Sequence, residues 1–305
     1  MTVTMIPFEE GEANLDWLRL CDAFAAGHRL PRAEIGDTFL YRDADTLLSR
    51  AAWIDGMGLA VKSATIFPGN PDKGNPMING AVCVFGDGGG QLEAVIDFHL
   101  VTKWKTAGDS LYAATRLARS DSEKILIIGA GTVGRSLFQA YSAGFPGARF
   151  RVWNRTRANA EKMVADCPGL RVADDLESAV READIVTSAT MATKPILNGD
   201  WLRPGQHVDL IGAYRPDMRE ADDTALARAR LFVDSLETTV GHIGEIRIPL
   251  EAGVIAREDI VADYYAPDRF RRESDDEITL FKNGGGAHLD LMTSRYILDA
   301  WQAAR

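Results

Sequence analysis

The chemistry this sequence can offer is carried by a few cationic side chains and one glycine turn. Lys62 lies in Gly58-Leu59-Ala60-Val61-Lys62-Ser63-Ala64-Thr65-Ile66-Phe67. At the period of a strand it shares a face with Ala60, Ala64 and Ile66. A lysine on such a small, apolar face is costly unless it meets an anion. The plainer reading is an edge lysine whose stem snorkels to water. Lys105 follows Lys103 just after a candidate helix N-cap at Thr102. The helix dipole disfavours cations in a first turn, so the pair marks either a site or a tolerated surface charge. Thr106-Ala107-Gly108 then allow close approach. Arg29 and Arg32 flank Leu30-Pro31, and either can clamp a carboxylate through two parallel hydrogen bonds or simply sit at the surface.

The glycine turn is Gly129-Ala130-Gly131-Thr132-Val133-Gly134, preceded by Lys124-Ile125-Leu126-Ile127-Ile128. Four aliphatic residues read as a buried strand, and Leu137, Phe138, Ala140 and Tyr141 read as the helix after the turn. Gly129 permits the sharp turn, Gly131 leaves room for a pyrophosphate, and Gly134 lets helix and strand approach. The helix N-terminus supplies N–H groups and dipole to the phosphates. A second strand, Phe150-Arg151-Val152-Trp153, ends about 20 residues on, at the ribose-reading position. An NAD enzyme carries Asp or Glu there, whereas this chain has Asn154-Arg155-Thr156-Arg157. Arg155 can pair with a 2′-phosphate, and Asn154 and Thr156 can donate to it. The expected cofactor is therefore NADPH. If the arginines merely open the next helix, NADH serves as well.

Two further stretches complete the candidates. Ile211-Gly212-Ala213-Tyr214 ends a strand at the carboxyl edge of a sheet, where this fold class binds ligands. Tyr214 is expected to face the nicotinamide or to be a packed aromatic. Gly284-Gly285-Gly286 lets backbone approach a ligand or forms a hinge. The elements that position these residues change rhythm along the chain. The front third reads as a helix over 13–28 with an apolar stripe of Leu15, Leu18, Leu20, Ala23 and Phe24, then mostly antiparallel strands with a hairpin at 81–97. A helix over 102–118 bridges to alternating strands and helices. The fold class is α/β: a Rossmann doubly wound nucleotide domain, residues 119–286, inserted in an α+β domain, residues 1–118 plus 287–305, whose final helix is expected to pack back on the front third.

Composition bounds the function. The 305 residues are 46% hydrophobic and 26% charged, as in a globular protein. A net charge of -10 gives nucleic-acid binding no electrostatic support. No apolar run approaches a membrane span. Residues 1–12 are acidic and lack the apolar core of a signal peptide. Three widely spaced cysteines point to a reducing cytoplasm, with no disulfide frame, and no metal site is expected.

Taken in order, these pieces resemble the ornithine cyclodeaminase/μ-crystallin family over nearly the whole chain. The stretches that carry the resemblance are Lys62 with Pro68 and Asn70, Thr102-Lys103-Trp104-Lys105-Thr106-Ala107, Gly129-Ala130-Gly131, Trp153-Asn154-Arg155-Thr156, Gly212 to Glu220, and Thr279-Leu280-Phe281-Lys282 with its glycines. The resemblance implies a homodimer built through the substrate domains. It implies that Lys62 and Lys105 are catalytic and bind substrate, and that Arg29 (Arg32 as the alternative) holds the substrate carboxylate, with Tyr214 and Gly285 beside it. Lys105 stands where the family has arginine. Cofactor contacts are implied for Thr106, Thr132, Val133, Thr190, Ile211 and Gly284. The cyclodeaminases have an aspartate where this chain has Tyr214, and a phenol is a poor general base at neutral pH. The chain thus looks more like the branch that reduces small cyclic imino acids, Δ1-pyrroline-2-carboxylate and Δ1-piperideine-2-carboxylate. The alternatives are ornithine cyclodeamination, an alanine-type dehydrogenase, or a crystallin-like protein that binds NADPH without turnover.

Overall fold

The structure is a computed structural model and describes residues 3–305. The chain forms two compact units, one running to Lys105 and rejoined by Gly286–Arg305, the other comprising Thr106–Gly285. The first opens with β1 (Thr4–Ile6), α1 (Phe8–Glu12) and α2 (Trp17–Gly27). α2 begins where Asp16 Oδ1 accepts the N–H groups of Leu18 and Arg19, each at 2.9 Å. The inward face runs through Trp17, Leu20, Cys21, Phe24 and Gly27 at helical spacing. Leu18 is exposed, and Trp17 is buried in its place, stacked on Trp104 at 3.8 Å between centroids. Leu20 and Phe24 are fully buried.

Next come β2 (Glu34–Arg42), β3 (Asp45–Ile54), β4 (Gly58–Ile66), β5 (Ile78–Phe85) and β6 (Leu92–Asp97). They form an antiparallel meander to which β1 adds in parallel, in the order β1-β6-β5-β4-β3-β2. On β4 the residues alternate, so that Ala60, Lys62 and Ala64 share the buried face. α3 (Phe98–Leu117) starts four residues before the Thr102 expected from sequence. Its cap is Asp97, whose Oδ1 accepts from His99 N at 2.8 Å and Leu100 N at 3.0 Å. Thr102 is therefore an interior residue, and the dipole argument for Lys103 and Lys105 lapses. β6 runs into α3 with no turn residue between them, which hides the boundary from sequence reading. The division between the units also falls inside α3, after Lys105 rather than after 118. The distal part of the helix buries Ala107, Leu111, Ala114 and Leu117 and belongs to the second unit.

The second unit alternates β7 (Lys124–Ile128), α4 (Thr132–Gly144), β8 (Arg149–Trp153), α5 (Arg157–Asp166), β9 (Leu170–Val172), α6 (Leu176–Glu182), β10 (Ile185–Ser188) and β11 (His207–Leu210). α7 (Asp223–Arg228), β12 (Arg230–Val233), α8 (Gly244–Glu251), β13 (Ile260–Ala262) and β14 (Thr279–Lys282) complete it. The strands make one parallel sheet in the order β13-β12-β14-β11-β10-β7-β8-β9. The chain winds outward from β7 to β9, then crosses back to β10. The switch point between β7 and β10 is where such sheets bind ligands. Leu126, Ile128, Val186, Val208 and Leu210 are among its core residues. α8 and β13 escape sequence reading because one contains Pro249 and the other has three residues. α9 (Ala287–Ala303) returns the chain to the first unit, where it packs on α2, β3 and β4.

Candidate active site

In the first unit the buried face of β4 presents Lys62, which is 7% exposed. Its Nζ donates to Asp290 Oδ1 at 2.9 Å and lies 4.7 Å from the centre of the Phe98 ring. Asp290, on the first turns of α9, is 2% exposed. The anion that a buried Lys62 requires is thus supplied from the far end of the chain. Burial lowers the Lys62 pKa to about 8; Asp290 opposes that shift, and Lys105 and Arg50 add to it. Burial also works against ionisation of Asp290, but the charges of Lys62, Lys105 and Arg50 outweigh it and hold the carboxyl below its ordinary range.

Lys105 is buried on α3. His288, also buried, is lowered to about 3 by burial and then by Lys105, so its ring is neutral at physiological pH. The His288 ring meets that of His28 edge-on at 5.3 Å. Arg29 and Arg32 are both exposed, and Arg32 is the one whose charge acts on His288. The structure therefore gathers Lys62, Lys105 and Asp290 with His288, Arg50 and Arg32, and leaves Arg29 at the surface end of α2.

The dinucleotide turn of the second unit has the geometry that its glycines suggest. Gly129 has φ +110, and a Cβ there would lie 2.5 Å from Ala189 O. A Cβ on Gly134 would collide with Gly129 O. Gly131, by contrast, has nothing within 4 Å of its Cβ position, so the turn leaves an open cradle. It is the N-cap of α4 and provides no side-chain cap, so the first N–H groups of Thr132 and Val133 remain for an anion. These residues fit a dinucleotide pyrophosphate. Asn154 Oδ1 accepts from Ala130 N at 3.1 Å, and its amide donates to Thr156 O at 2.9 Å, which fixes the ribose-reading loop. Arg157 is paired with Glu161 and Asp174. Arg155 is exposed and forms no ion pair among the described residues. A cation left unengaged beside this loop suits a phosphate.

Beyond β10 and β11, a buried acid unread in the sequence organises the loops. Glu220 Oε1 accepts from Ser188 Oγ at 2.7 Å, Thr190 N at 2.7 Å and Thr190 Oγ1 at 2.8 Å; Oε2 accepts from Gly212 N at 2.6 Å. It therefore staples Thr190 to the segment that carries Ile211 and Gly212. Glu245 in turn accepts from Glu220 N at 2.7 Å and Ala221 N at 3.1 Å. Burial raises both acids, Glu245 to about 7, while Lys282 acts against the rise. Lys282 Nζ donates to Leu210 O and Asn283 O, each at 2.8 Å. Asp209, raised to about 6 by burial, accepts from Ser110 Oγ, Tyr141 OH and Thr187 Oγ1. The acidic residue near a strand end was the available signal for Glu220; nothing local marks its four donors.

Tyr214 is 57% exposed, with the Arg215 guanidinium 5.6 Å from its ring centre. Arg215 is itself held by Asp217 at 2.8 and 2.9 Å. Gly284 packs where a Cβ would collide with Thr239, and Gly285 has φ +70, a conformation that favours glycine. Thr106 lies on α3, where its carbonyl accepts from Asn283 Nδ2 at 3.0 Å.

Comparison with known proteins agrees with this geometry. The sequence profile described as the ornithine cyclodeaminase/mu-crystallin family matches residues 52–305. The chain is 49% identical over 300 residues to the Delta(1)-pyrroline-2-carboxylate reductase of Paracoccus denitrificans, covering 96% of this chain and 95% of that protein. Its structure is similar to that of the Thermococcus litoralis Delta(1)-pyrroline-2-carboxylate reductase in complex with NADH and L-proline. There the TM-score is 0.89 at 25% identity, over 99% of this chain and 98% of the other. It is also similar to an archaeal alanine dehydrogenase dimer with bound NAD, with a TM-score of 0.90 at 28% identity, over 100% and 97% of the two chains.

The four bonds to Glu220 make it the support of the loops after β10 and β11. Removing its carboxylate strands buried donors, while Lys282 keeps its two backbone acceptors and the charges of Glu245, Asp234 and Asp209. Glu220→Ala is expected to lower the unfolding free energy by about 2–4 kcal/mol. Denaturant unfolding measures this, and a loss below about 1 kcal/mol would show that the loops hold without it.

Proposed function

The chain belongs to the ornithine cyclodeaminase/mu-crystallin family, and from that premise we propose that it reduces small cyclic imino acids, Δ1-pyrroline-2-carboxylate to L-proline and Δ1-piperideine-2-carboxylate to L-pipecolate. It is an NAD(P)H-dependent oxidoreductase of C=N bonds. The observation that carries this reading is 49% identity, over nearly its whole length, to a reductase of that name. The residues agree with it. Lys62 and Lys105, both buried, supply the positive charge that a substrate carboxylate needs. Of the two arginines expected from the resemblance as the carboxylate clamp, Arg32 suits that role better than Arg29 because its charge acts on His288.

A dinucleotide held at Gly131 and the start of α4 would supply a hydride for the imine carbon. The electron pair of the C=N bond moves to nitrogen, and one proton is taken up in forming the amino acid. A protonated imine accepts hydride better than a neutral one. Lys62, buried and with its pKa lowered to about 8, is a competent acid for keeping that nitrogen protonated. Gly131 and the start of α4 take the pyrophosphate, and Arg155 with Thr156 takes the 2′-phosphate of NADPH. Tyr214 stands where the cyclodeaminases carry aspartate, which argues against ornithine as substrate. The dimer, built through the first unit, is supported by the exposed edge strand β2 and by the similar dehydrogenase dimer. The three cysteines are free, which suits a reducing cytoplasm, and no helix among the described residues is long and apolar enough to cross a membrane.

A second reading, reductive amination of pyruvate, draws on the likeness to alanine dehydrogenase. One screen of NADPH oxidation decides between them: pyrroline-2-carboxylate, piperideine-2-carboxylate, and pyruvate with ammonia. Turnover of a cyclic imino acid is expected. Turnover of pyruvate with ammonia alone, or release of ammonia from L-ornithine at a comparable rate, would overturn the assignment.

Two variants probe the named residues. Arg155→Ala removes a charge-assisted contact worth about 1.5–3 kcal/mol, so KM for NADPH should rise roughly 10- to 150-fold while that for NADH changes little. Equal effects on both cofactors would end the 2′-phosphate reading. Lys62→Met should nearly abolish reduction while NADPH still binds. In the wild type, kcat/KM should fall as pH rises through about 8, because the active form is the ammonium and that is the pH at which it loses its proton. An activity level to pH 9.5 would show that Lys62 does not act as the acid.

A further inference from the structure

We propose that Asp290 is a positioning residue for the reduction, anchoring the Lys62 amine so that its remaining donors meet the substrate. This rests on the reading that Lys62 touches the imino acid. An ammonium has three N–H donors. One Lys62 donor goes to Asp290 Oδ1 at 2.9 Å, and no second hydrogen bond from Nζ is made among the described residues. A lysine this deeply buried with donors to spare is incomplete without a ligand. The Phe98 ring, 4.7 Å from Nζ, closes another side. The direction in which the amine points is thus set by one carboxylate and one ring.

Asp290 is suited to this by its place in the fold. It lies at the N-terminal end of α9, where the helix dipole favours an anion. Its Oδ2 is buried and has no hydrogen-bond partner among the described residues, so the carboxylate is not spent on other contacts. The charged groups that act on the pair are Lys105 on α3 and Arg50 on β3, the latter ion-paired with Asp37 on β2 at 3.0 Å, while His288 on α9 lies among Lys105, Asp290, Arg50 and Arg32. His28, at the end of α2, meets the ring of His288. Arg50 and Lys105 oppose the charged form of Lys62, and Asp290 is the anion that supports it. Well-packed apolar side chains are often as stabilising as a buried ion pair, so stability is a weak reason for this one.

The test uses the purified full chain, NADPH and Δ1-pyrroline-2-carboxylate. In Asp290→Asn the alkaline limb of the kcat/KM profile should move at least one pH unit lower, with NADPH affinity within twofold of wild type. A limb that stays in place, at any level of activity, overturns the proposal. If that variant does not fold, Asp290→Glu replaces it. It keeps the charge but displaces the carboxylate by one methylene. Its limb should stay while kcat/KM drops at least tenfold, and a smaller loss overturns the proposal. A wild type inactive on every imino acid overturns this proposal together with the reading beneath it. An active wild type whose limb ignores Asp290→Asn overturns this proposal alone.

Discussion

A charge taken out of water must be given a partner, and the interior of this protein is arranged around that requirement. Lys62 occupies a strand face otherwise lined by Ala60 and Ala64. Small neighbours leave room for a long side chain but offer it nothing polar. The carboxylate of Asp290 meets the need, and it does so because α9 returns to the first unit and packs on β3 and β4. Lys105 and Arg50 add their positive charge to this pair, and Arg50 has a second carboxylate partner in Asp37 at 3.0 Å.

The same requirement shapes the second unit with the opposite sign. Glu220, Glu245 and Asp209 are buried acids, and each is surrounded by donors. Their hydrogen bonds link segments that follow different strands, so the loops at the carboxyl edge of the sheet are held by the core beneath them. Lys282 adds a buried cation whose donors go to two backbone carbonyls. Such networks rigidify when every member is satisfied. A rigid edge suits a fold that must hold a dinucleotide in one pose for hydride transfer.

Family membership and chemistry are separate conclusions, because one fold serves several reactions. The departures within the shared frame are what favour a reductase. Tyr214, exposed and flanked by Arg215, stands where the family resemblance implies an acid in the cyclodeaminases. Asn154, Arg155 and Thr156 replace the acid of NAD enzymes, and Arg155 remains unengaged while Arg157 is tied to Glu161 and Asp174. Tyr214, Arg155 and Thr156 face solvent, where substitution costs the fold little and changes the ligand that is accepted, while Asn154 also holds the loop through Ala130 and Thr156.

What the sequence alone determined is what depends on neighbours in the chain. The glycine spacing from Gly129 to Gly134, the aliphatic run before it and the residues about 20 positions later define the nucleotide unit, because turn, strand and helix are short-range structures. The period-two pattern also placed Lys62 on a buried face. What that face meets depends on the long-range fold. Asp290 is 228 residues away, and β14 slips between β11 and β12 although it comes last of the three. It likewise moved the start of α3 from Thr102 to Phe98, and it turned Glu220 from an ordinary loop acid into a fourfold acceptor. Periodicity reports that a residue is buried. The partner that makes the burial tolerable is chosen by packing between distant segments, and that leaves no local trace.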